Sequence, residues 1–357
     1  MAEYNIPGVY SQVDASAAVN TTGASDNVIG IVAQADNGTD NQPYAPLSYN
    51  DAVTRYGENS NLVKLMKTAM ENGGNKFILV KVKKSDDYSL DYESAFSALD
   101  LEEAVNIVIT DATDPLIHAS LKTHVYNASD NSKERIAIVG FAPNTDQNTV
   151  QTSAATLNGG RIYTSYPNPL DSTGAELDGI YSAAAIAGQI AAETDPSMPM
   201  TNVQLKGFYG LAKKLTISEM DSLIENGVIP LQVRNGSITI VRAISTYTKN
   251  DAGKDDTTWQ ELTTQRTSDA IMKDLRDDLA SKFARAKQNA RTREAIKTEV
   301  VNKLLSYQDL EWIENVDPEN DVSIEVNPTN PLRNDLDFKF DITGPLNVIN
   351  IIGHLVI

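Results

Sequence analysis

The sequence predicts an α/β (α+β) fold, with a large α/β domain followed by a C-terminal domain that contains a helix pair and a sheet. Three observations support this prediction. Short β-branched runs alternate with helical patterns as far as about residue 250, which is the order typical of an α/β layer architecture. Two long amphipathic helical patterns come next. Strand-like segments then continue to the last residue.

The first part of the chain alternates between the two patterns. Strands are predicted where apolar, β-branched residues cluster, at 28–33, 76–82, 105–110, 135–140 and 161–165. Helices are predicted from their spacing at 51–56 with Ser48 as a candidate N-cap, and at 62–70, 114–126 and 181–192. The polar stretch 83–92 is interpreted as a loop or a boundary.

A capped helix and a hairpin are predicted before residue 250. Ser218 is the expected N-cap, and Asn226-Gly227 is the expected stop. Asn235-Gly236 then separates two β-rich runs, which favours a type I′ hairpin turn.

The C-terminal domain is predicted to contain two helices and a final sheet. One helix starts at Ser268, with Ile271, Met272, Leu275, Leu279 and Phe283 on its apolar face, and the other covers 292–307. Strands are predicted at 322–326 and at 336–342, where strict alternation indicates one buried face. The expected division is an N-terminal arm at 1–20, an α/β domain at 21–250, a C-terminal domain at 251–345 and an arm strand at 346–357.

Composition argues against several classes of function. The net charge of −18 opposes general binding to nucleic acid and adsorption to anionic membranes. The sequence has no cysteine and only three histidines, of which His118 and His124 lack the spacing of a helical zinc pair, so no metal is expected. We find no secretory signal and no membrane span, and expect the protein to be made and assembled in the cytosol.

No catalytic motif is present either. The Gly-Gly pairs at 73–74 and 159–160 lack the Walker lysine and the dinucleotide-binding pattern, so we interpret them as turns. No nucleophile elbow occurs, and the paired carboxylates lie in polar loops or on an exposed helix face. We therefore expect no catalytic residue, no cofactor and no enzyme activity.

One basic stretch stands out in an acidic chain. Residues 282–303 contain seven basic side chains and two acidic ones. This stretch is interpreted either as a solvated helix–turn–helix surface or as a docking patch for an acidic partner.

Both ends of the chain are apolar and strand-like. Two interpretations of these ends are open. The ends add strands to the sheets of neighbouring subunits, or they pair with strands of their own chain. The candidate linking residues are Ile6, Pro7, Gly8, Val9, Tyr10, Leu346, Val348, Ile349, Ile351, Ile352, Leu355 and Val356.

Several motifs, in this order, resemble the contractile tail sheath proteins over nearly the whole chain. They are IPGVY at 6–10, VIGIVA at 28–33, NGGNKFILVKV at 72–82, the Ala-rich stretch 183–192 with Asp195 after it, LIENGVI at 223–229, and KQN at 287–289 with Arg293 after it.

The resemblance implies a structural subunit of a phage tail or an R-type bacteriocin particle. Subunits of that family stack as hexameric rings around an inner tube, linked by their arms, and a baseplate trigger shortens and widens the lattice. The implied partners are other copies of the chain, the inner tail tube protein, and the baseplate and tail terminator proteins, with no nucleic acid and no direct membrane binding. Assembly is expected in the bacterial cytoplasm. The implied tube-contact residues are Lys282, Arg285, Lys287, Arg291 and Arg293.

Two other readings remain open at this point. One is a non-contractile structural or adaptor protein of a phage particle. The other is an α/β enzyme with an acidic ligand near the basic stretch, although no convergent set of titratable groups is visible in the sequence.

Overall fold

A computed structural model describes residues 27–85 and 87–347. Its helices are α1 (Tyr49–Tyr56), α2 (Asn61–Glu71), α3 (Tyr88–Ser97), α4 (Pro115–Asp130), α5 (Gln147–Leu157), α6 (Gly179–Ala192), α7 (Ile217–Glu225), α8 (Leu262–Phe283) and α9 (Ala290–Asp309). The strands of its first part are β1 (Val28–Ala33), β2 (Pro43–Tyr44), β3 (Phe77–Lys81), β4 (Val105–Thr110), β5 (Ile136–Val139), β6 (Ile162–Tyr166), β7 (Pro169–Leu170), β8 (Gln204–Leu205), β9 (Gly210–Leu211), β10 (Ile229–Arg234) and β11 (Ser237–Ile240). The last strands are β12 (Ile313–Glu314), β13 (Val322–Val326), β14 (Asn334–Phe338) and β15 (Asp341–Ile342).

A nine-stranded sheet in the order β2-β3-β1-β4-β5-β6-β10-β11-β8 forms the centre of the α/β unit, which we define as residues 28–262. The run from β3 to β10 is parallel, so helices cover both faces. Alternate residues of β1 point to opposite faces: Ile29 and Ile31 share a core with α1, α2 and α6. Val32 shares a core with α3 and α4. This layered arrangement confirms the predicted fold class.

Helix α6 packs tightly because small residues let backbones approach closely. A Cβ at Gly140, just after β5, would lie 2.1 Å from the backbone carbon of Gly179 at the start of α6. Within α6, a Cβ at Gly188 would lie 2.3 Å from the carbonyl oxygen of Ala69 in α2. These glycines fix the position of α6 against both the sheet and its neighbouring helix.

The predicted strands and most predicted helices of this unit are confirmed, and two expectations were wrong. Helix α3 begins at Tyr88 inside the stretch interpreted as a loop, because the Asp87 side chain caps it by accepting from the Leu90 N–H. Helix α7 is capped by Thr216 and not by Ser218, since Thr216 and Glu219 form a capping box. Asn235 and Gly236 have positive φ, as the predicted hairpin turn requires.

The C-terminal unit, residues 271–342, has a core of its own. Ile271 and Leu275 of α8 pack with Val300 and Leu304 of α9 and with residues of β12, β13 and β14. The four last strands form two separate two-stranded antiparallel ladders, β12–β15 and β13–β14. Helix α8 also reaches the core of the α/β unit through Leu262. Because one helix belongs to both cores, the predicted domain boundaries stay a prediction.

Three details of the C-terminal unit differ from the prediction. Helix α8 starts at Leu262, earlier than the predicted start at Ser268. The sequence pattern missed its first turns because the residues buried there, Thr263, Gln265 and Thr267, are polar and interrupt the apolar pattern. Met272 is 42% exposed and does not lie on the buried face. The predicted strand at 336–342 is divided between β14 and β15, although Leu336, Phe338 and Phe340 still pack against the core.

Candidate functional site

The predicted docking patch lies at the turn between α8 and α9. Helix α8 ends at Phe283, and α9 begins after Asn289, whose side chain accepts from the Thr292 N–H at 3.0 Å. The side-chain amide of Gln288 donates to Asn334 Oδ1 at 2.7 Å and ties the turn to the start of β14. The fold therefore holds this turn in a defined position at the end of the C-terminal unit.

Lys282, the first of the predicted contact residues, is engaged within the chain. Its ammonium lies 2.7 Å from Glu299 and 2.9 Å from Asp278, so it joins the two helices. Hydrogen bonds from Glu299 and then Asp278 raise the pKa of Lys282. Lys303 forms a similar link to Asp274 at 2.8 Å. Lys282 therefore has a structural role whether or not it contacts a partner.

The other four predicted contact residues, Arg285, Lys287, Arg291 and Arg293, are named here the basic turn. Among the described residues, none of their side chains forms a hydrogen bond or an ion pair. Arg291 and Arg293 lie in the first turn of α9, which contains no acidic residue. Cations are unfavourable at the positive end of a helix dipole, so an anionic partner would stabilise this site.

The ladders β12–β15 and β13–β14 offer a second kind of binding feature. Within residues 27–85 and 87–347, each ladder has only two strands, so the outer edge of every strand lacks a partner strand. Isolated two-stranded ladders are only marginally stable, and open edges are templates for an added strand. Both edges could accept an extended segment.

A cavity of about 230 Å³ lies between the α/β unit and α8, and three charged side chains that line it, Glu134, Arg266 and Asp269, are engaged with other residues. Arg161 holds Asp269 through two contacts of 2.7 and 2.8 Å. Arg276 holds Glu134 at 2.8 Å. Arg266 donates to the Glu193 carbonyl at 2.9 Å, and burial lowers the pKa of Arg266 to about 10. These contacts fasten α8 to the α/β unit.

The two described histidines are buried structural residues of α4. His118 Nε2 donates to the Ala112 carbonyl at 3.0 Å, and His124 Nε2 accepts from Arg135 at 2.9 Å. Burial lowers the pKa of each histidine to about 4, and for His124 the neighbouring Arg135 adds to the effect. In the part of the chain that the structure describes, no three acidic or histidine residues group as a metal site. No described helix could span a membrane.

Most of the predicted arm residues lie outside the described residues. They are Ile6, Pro7, Gly8, Val9, Tyr10, Val348, Ile349, Ile351, Ile352, Leu355 and Val356. Leu346 is described and is 78% exposed, and next to it the Asn347 side chain donates to Glu261 at 3.0 Å. Their role as arms stays a prediction.

Two family descriptions match the chain. Residues 88–246 match the phage tail sheath protein central domain, and residues 254–355 match the phage tail sheath C-terminal domain. The chain belongs to the phage tail sheath family. The predicted resemblance is therefore confirmed.

A curated sheath relative is the tail sheath protein of Bacillus phage SP01. It is 26% identical over 257 residues, which is 70% of this chain. This chain spans 43% of the length of that relative. The similar proteins named here are structural sheath components rather than enzymes.

Solved sheath structures have the same fold at low sequence identity. The sheath tail protein from Listeria innocua is 12% identical with a TM-score of 0.73, covering 91% of this chain and 94% of that one. A chain of the contracted helical sheath of the anti-feeding prophage is 16% identical with a TM-score of 0.71, covering 99% of each. A chain of the contracted PVC sheath complex, an extracellular contractile injection system, is 18% identical with a TM-score of 0.71, covering 100% of this chain and 99% of that one.

Proposed function

We propose that this chain is the structural subunit of a contractile tail sheath. Copies stack as hexameric rings around an inner tube, and contraction of the lattice drives the tube through a target envelope. The single observation that supports this most directly is the pair of open-edged ladders in the C-terminal unit, in a chain whose two ends are apolar and strand-like.

The linking contact in this proposal is strand addition between copies. The segments at 6–10 and 346–356 supply the added strands, and the ladders β12–β15 and β13–β14 supply the edges. Main-chain hydrogen bonds give such a contact its affinity, and alternate apolar side chains give it register. An arm in each neighbouring copy keeps the lattice connected while its subunits move.

The basic turn is proposed to face the inner tube. Arg285, Lys287, Arg291 and Arg293 have no acidic partner within the described part of the chain, so an acidic tube surface would relieve their charge. Lys282 lies at the edge of this surface, with its ammonium shared between Glu299 and Asp278. It contributes by holding α8 and α9 together.

The work of contraction comes from the difference in contacts between two lattice packings. A ligand or trigger shifts a two-state equilibrium only through its differential affinity for the two states. In this proposal, the baseplate releases a metastable extended lattice, and new contacts between copies stabilise the contracted one. Nucleotide hydrolysis is not required. Copies assemble in the bacterial cytoplasm and function in the phage tail or tail-like particle, where tail terminator proteins complete the assembly.

The test is a change confined to the C-terminal segment. A chain lacking residues 346–357, or one carrying Ile349→Pro and Ile351→Pro, should fold normally and fail to form sheath-like polymers in negative-stain electron microscopy, because proline cannot donate to a ladder. The control is Ile349→Val with Ile351→Val, which keeps β-propensity and should still polymerise. Polymers of normal length from the truncated chain would contradict the role of this arm.

A further inference from the structure

The outer surface of the last strands carries a set of carboxylates that have almost no cationic partner. Side chains alternate along 335–341, and Leu336, Phe338 and Phe340 point into the C-terminal core. The intervening side chains therefore point outward. Together with acids from β12 and β13 they form what we name the carboxylate face: Glu314, Glu325, Asp335, Asp337 and Asp341.

The register of both ladders places like charges directly opposite each other. Glu325 pairs with Asp335 across β13–β14, and Glu314 pairs with Asp341 across β12–β15. Like charges at opposed positions destabilise a ladder. Two ladders that repeat this arrangement would both gain stability from a cationic partner.

The chain itself relieves only part of this repulsion. Asp335 accepts from Asn327 and from Arg333, each at 2.6 Å, and these contacts lower its pKa. Among the described residues, the side chains of Glu314, Glu325 and Asp337 form no hydrogen bond or ion pair, and all three are exposed. Lys339 is the one cation on the outward side of 335–341.

The basic turn has the complementary charge, but within the described part of one copy it forms no ion pair with the carboxylate face. Helix α9 packs on the inner side of β13 through the core that contains Val300, Leu336 and Phe338. The carboxylate face is on the other side of that sheet. Gln288 ties the turn to Asn334 beside Asp335 on the inner side, yet among the described residues of one copy none of the four cations of the basic turn pairs with these carboxylates.

We propose that the carboxylate face of one copy binds the basic turn of a second copy. The contact joins two different surfaces, so it is head-to-tail and repeats from copy to copy, which generates a ring or a helical array. This inference rests on the proposed sheath function and deepens it. One basic turn cannot hold the tube and a neighbouring copy at once, so the two contacts belong to different states of the lattice.

The experiment uses two full-length variants that exchange charge. The turn variant carries Arg291→Glu and Arg293→Glu, and the face variant carries Glu325→Lys and Asp337→Lys. Without tube protein and at low salt, each variant alone should polymerise poorly, with its critical concentration raised about tenfold or more, since every copy then opposes like charges. An equimolar mixture should polymerise again, because the turn of each variant now matches the face of the other.

Controls separate this effect from folding and from net charge. Circular dichroism and thermal unfolding should match those of the unmodified chain. A variant with Lys64→Glu and Lys67→Glu, on the exposed side of α2, changes net charge as the turn variant does and should polymerise normally. A single chain carrying all four exchanges should also polymerise.

Each outcome decides the question. Rescue in the mixture supports the contact between copies. Normal polymers from the face variant alone, or no rescue in a mixture of folded variants, overturns the contact while leaving the proposed sheath function intact. If the unmodified chain forms no polymer either alone or with tube protein, the proposed function fails, and the contact inferred from it fails as well.

Discussion

Arg135 shows how a single buried residue organises one edge of the α/β unit. It is fully buried and donates to the carbonyls of Leu99 at 2.7 Å, Glu102 at 2.6 Å and Val105 at 3.1 Å, and its fourth partner is the His124 ring. Because Arg135 donates to Nε2, His124 is neutral with its proton on Nδ1, which faces Asp100 at 3.3 Å. A second proton on the His124 ring would make it a cation next to the Arg135 guanidinium, and the two positive charges would repel each other.

Because both histidines are buried in the neutral form, we predict that the free energy of unfolding falls in mild acid. Burial lowers the pKa of His118 and His124 from 6.5 to about 4. Between these two pH values the unfolded chain therefore binds more protons than the folded chain. Their contribution is complete above pH 6.5 and is lost as the pH falls towards 4, by at most about 3 kcal/mol per histidine.

Urea unfolding at a series of pH values measures this effect. His124→Gln keeps an acceptor for Arg135 and should remove about half of the pH dependence between 6.5 and 4, since His118 remains. Combining it with His118→Gln should remove most of the remainder. An unchanged slope in the double variant would contradict the assignment.

At the scale of elements, the sequence predicted those whose pattern is apolar and periodic. The strands β1, β3, β4, β5 and β6 were predicted because their β-branched runs are short and buried on both faces. The start of α8 was not predicted, since Thr263 and Thr267 are buried there without an apolar repeat. The stripe of α8 that meets the α/β unit is charged, and its partners Arg161 and Glu134 lie more than a hundred residues away in the chain. Such pairings cannot be predicted from local spacing.

That charged stripe predicts unequal effects for two similar ion pairs. Asp269→Asn leaves the largely buried Arg161 without its anion and should lower the free energy of unfolding by about 3 kcal/mol. Replacing both partners, as Arg161→Met with Asp269→Leu, should cost less because no charge stays unpaired.

The comparison pair is Arg276–Glu134, whose arginine is 36% exposed. Glu134→Gln should cost about 1 kcal/mol or less. Denaturant unfolding of the variants gives all these values. An Asp269→Asn variant as stable as the unmodified chain would show that Arg161 finds another partner.

At the scale of the whole molecule, the two charged surfaces differ in how far the sequence could reveal them. The basic turn was predicted because its cations lie within a short stretch of an acidic chain. The carboxylate face was not, because Glu314, Glu325 and Asp335–Asp341 come from three segments that only the ladder register unites. The apolar arms were predicted from composition, and their partners stay a prediction. A cluster of charges within one stretch can be recognised in the sequence. A surface that strand pairing assembles from separate segments can be recognised only in the folded structure.

The net charge of −18 makes copies of the chain repel one another, so attraction to an acidic tube has to be concentrated in a few cations. A chain with Arg285→Glu, Lys287→Glu and Arg291→Glu should fold normally and give no tube-filled particles, because the basic turn would then repel the tube. The matched control, Lys64→Glu with Lys67→Glu and Lys254→Glu, has the same net charge and should enclose tubes, as electron microscopy of co-expressed particles can test. Neutralising the carboxylate face with Glu325→Gln and Asp337→Asn should also leave tube enclosure intact, since in the proposed lattice that face binds a neighbouring copy and not the tube. Normal tube-filled particles from the first variant would exclude the basic turn as the tube contact.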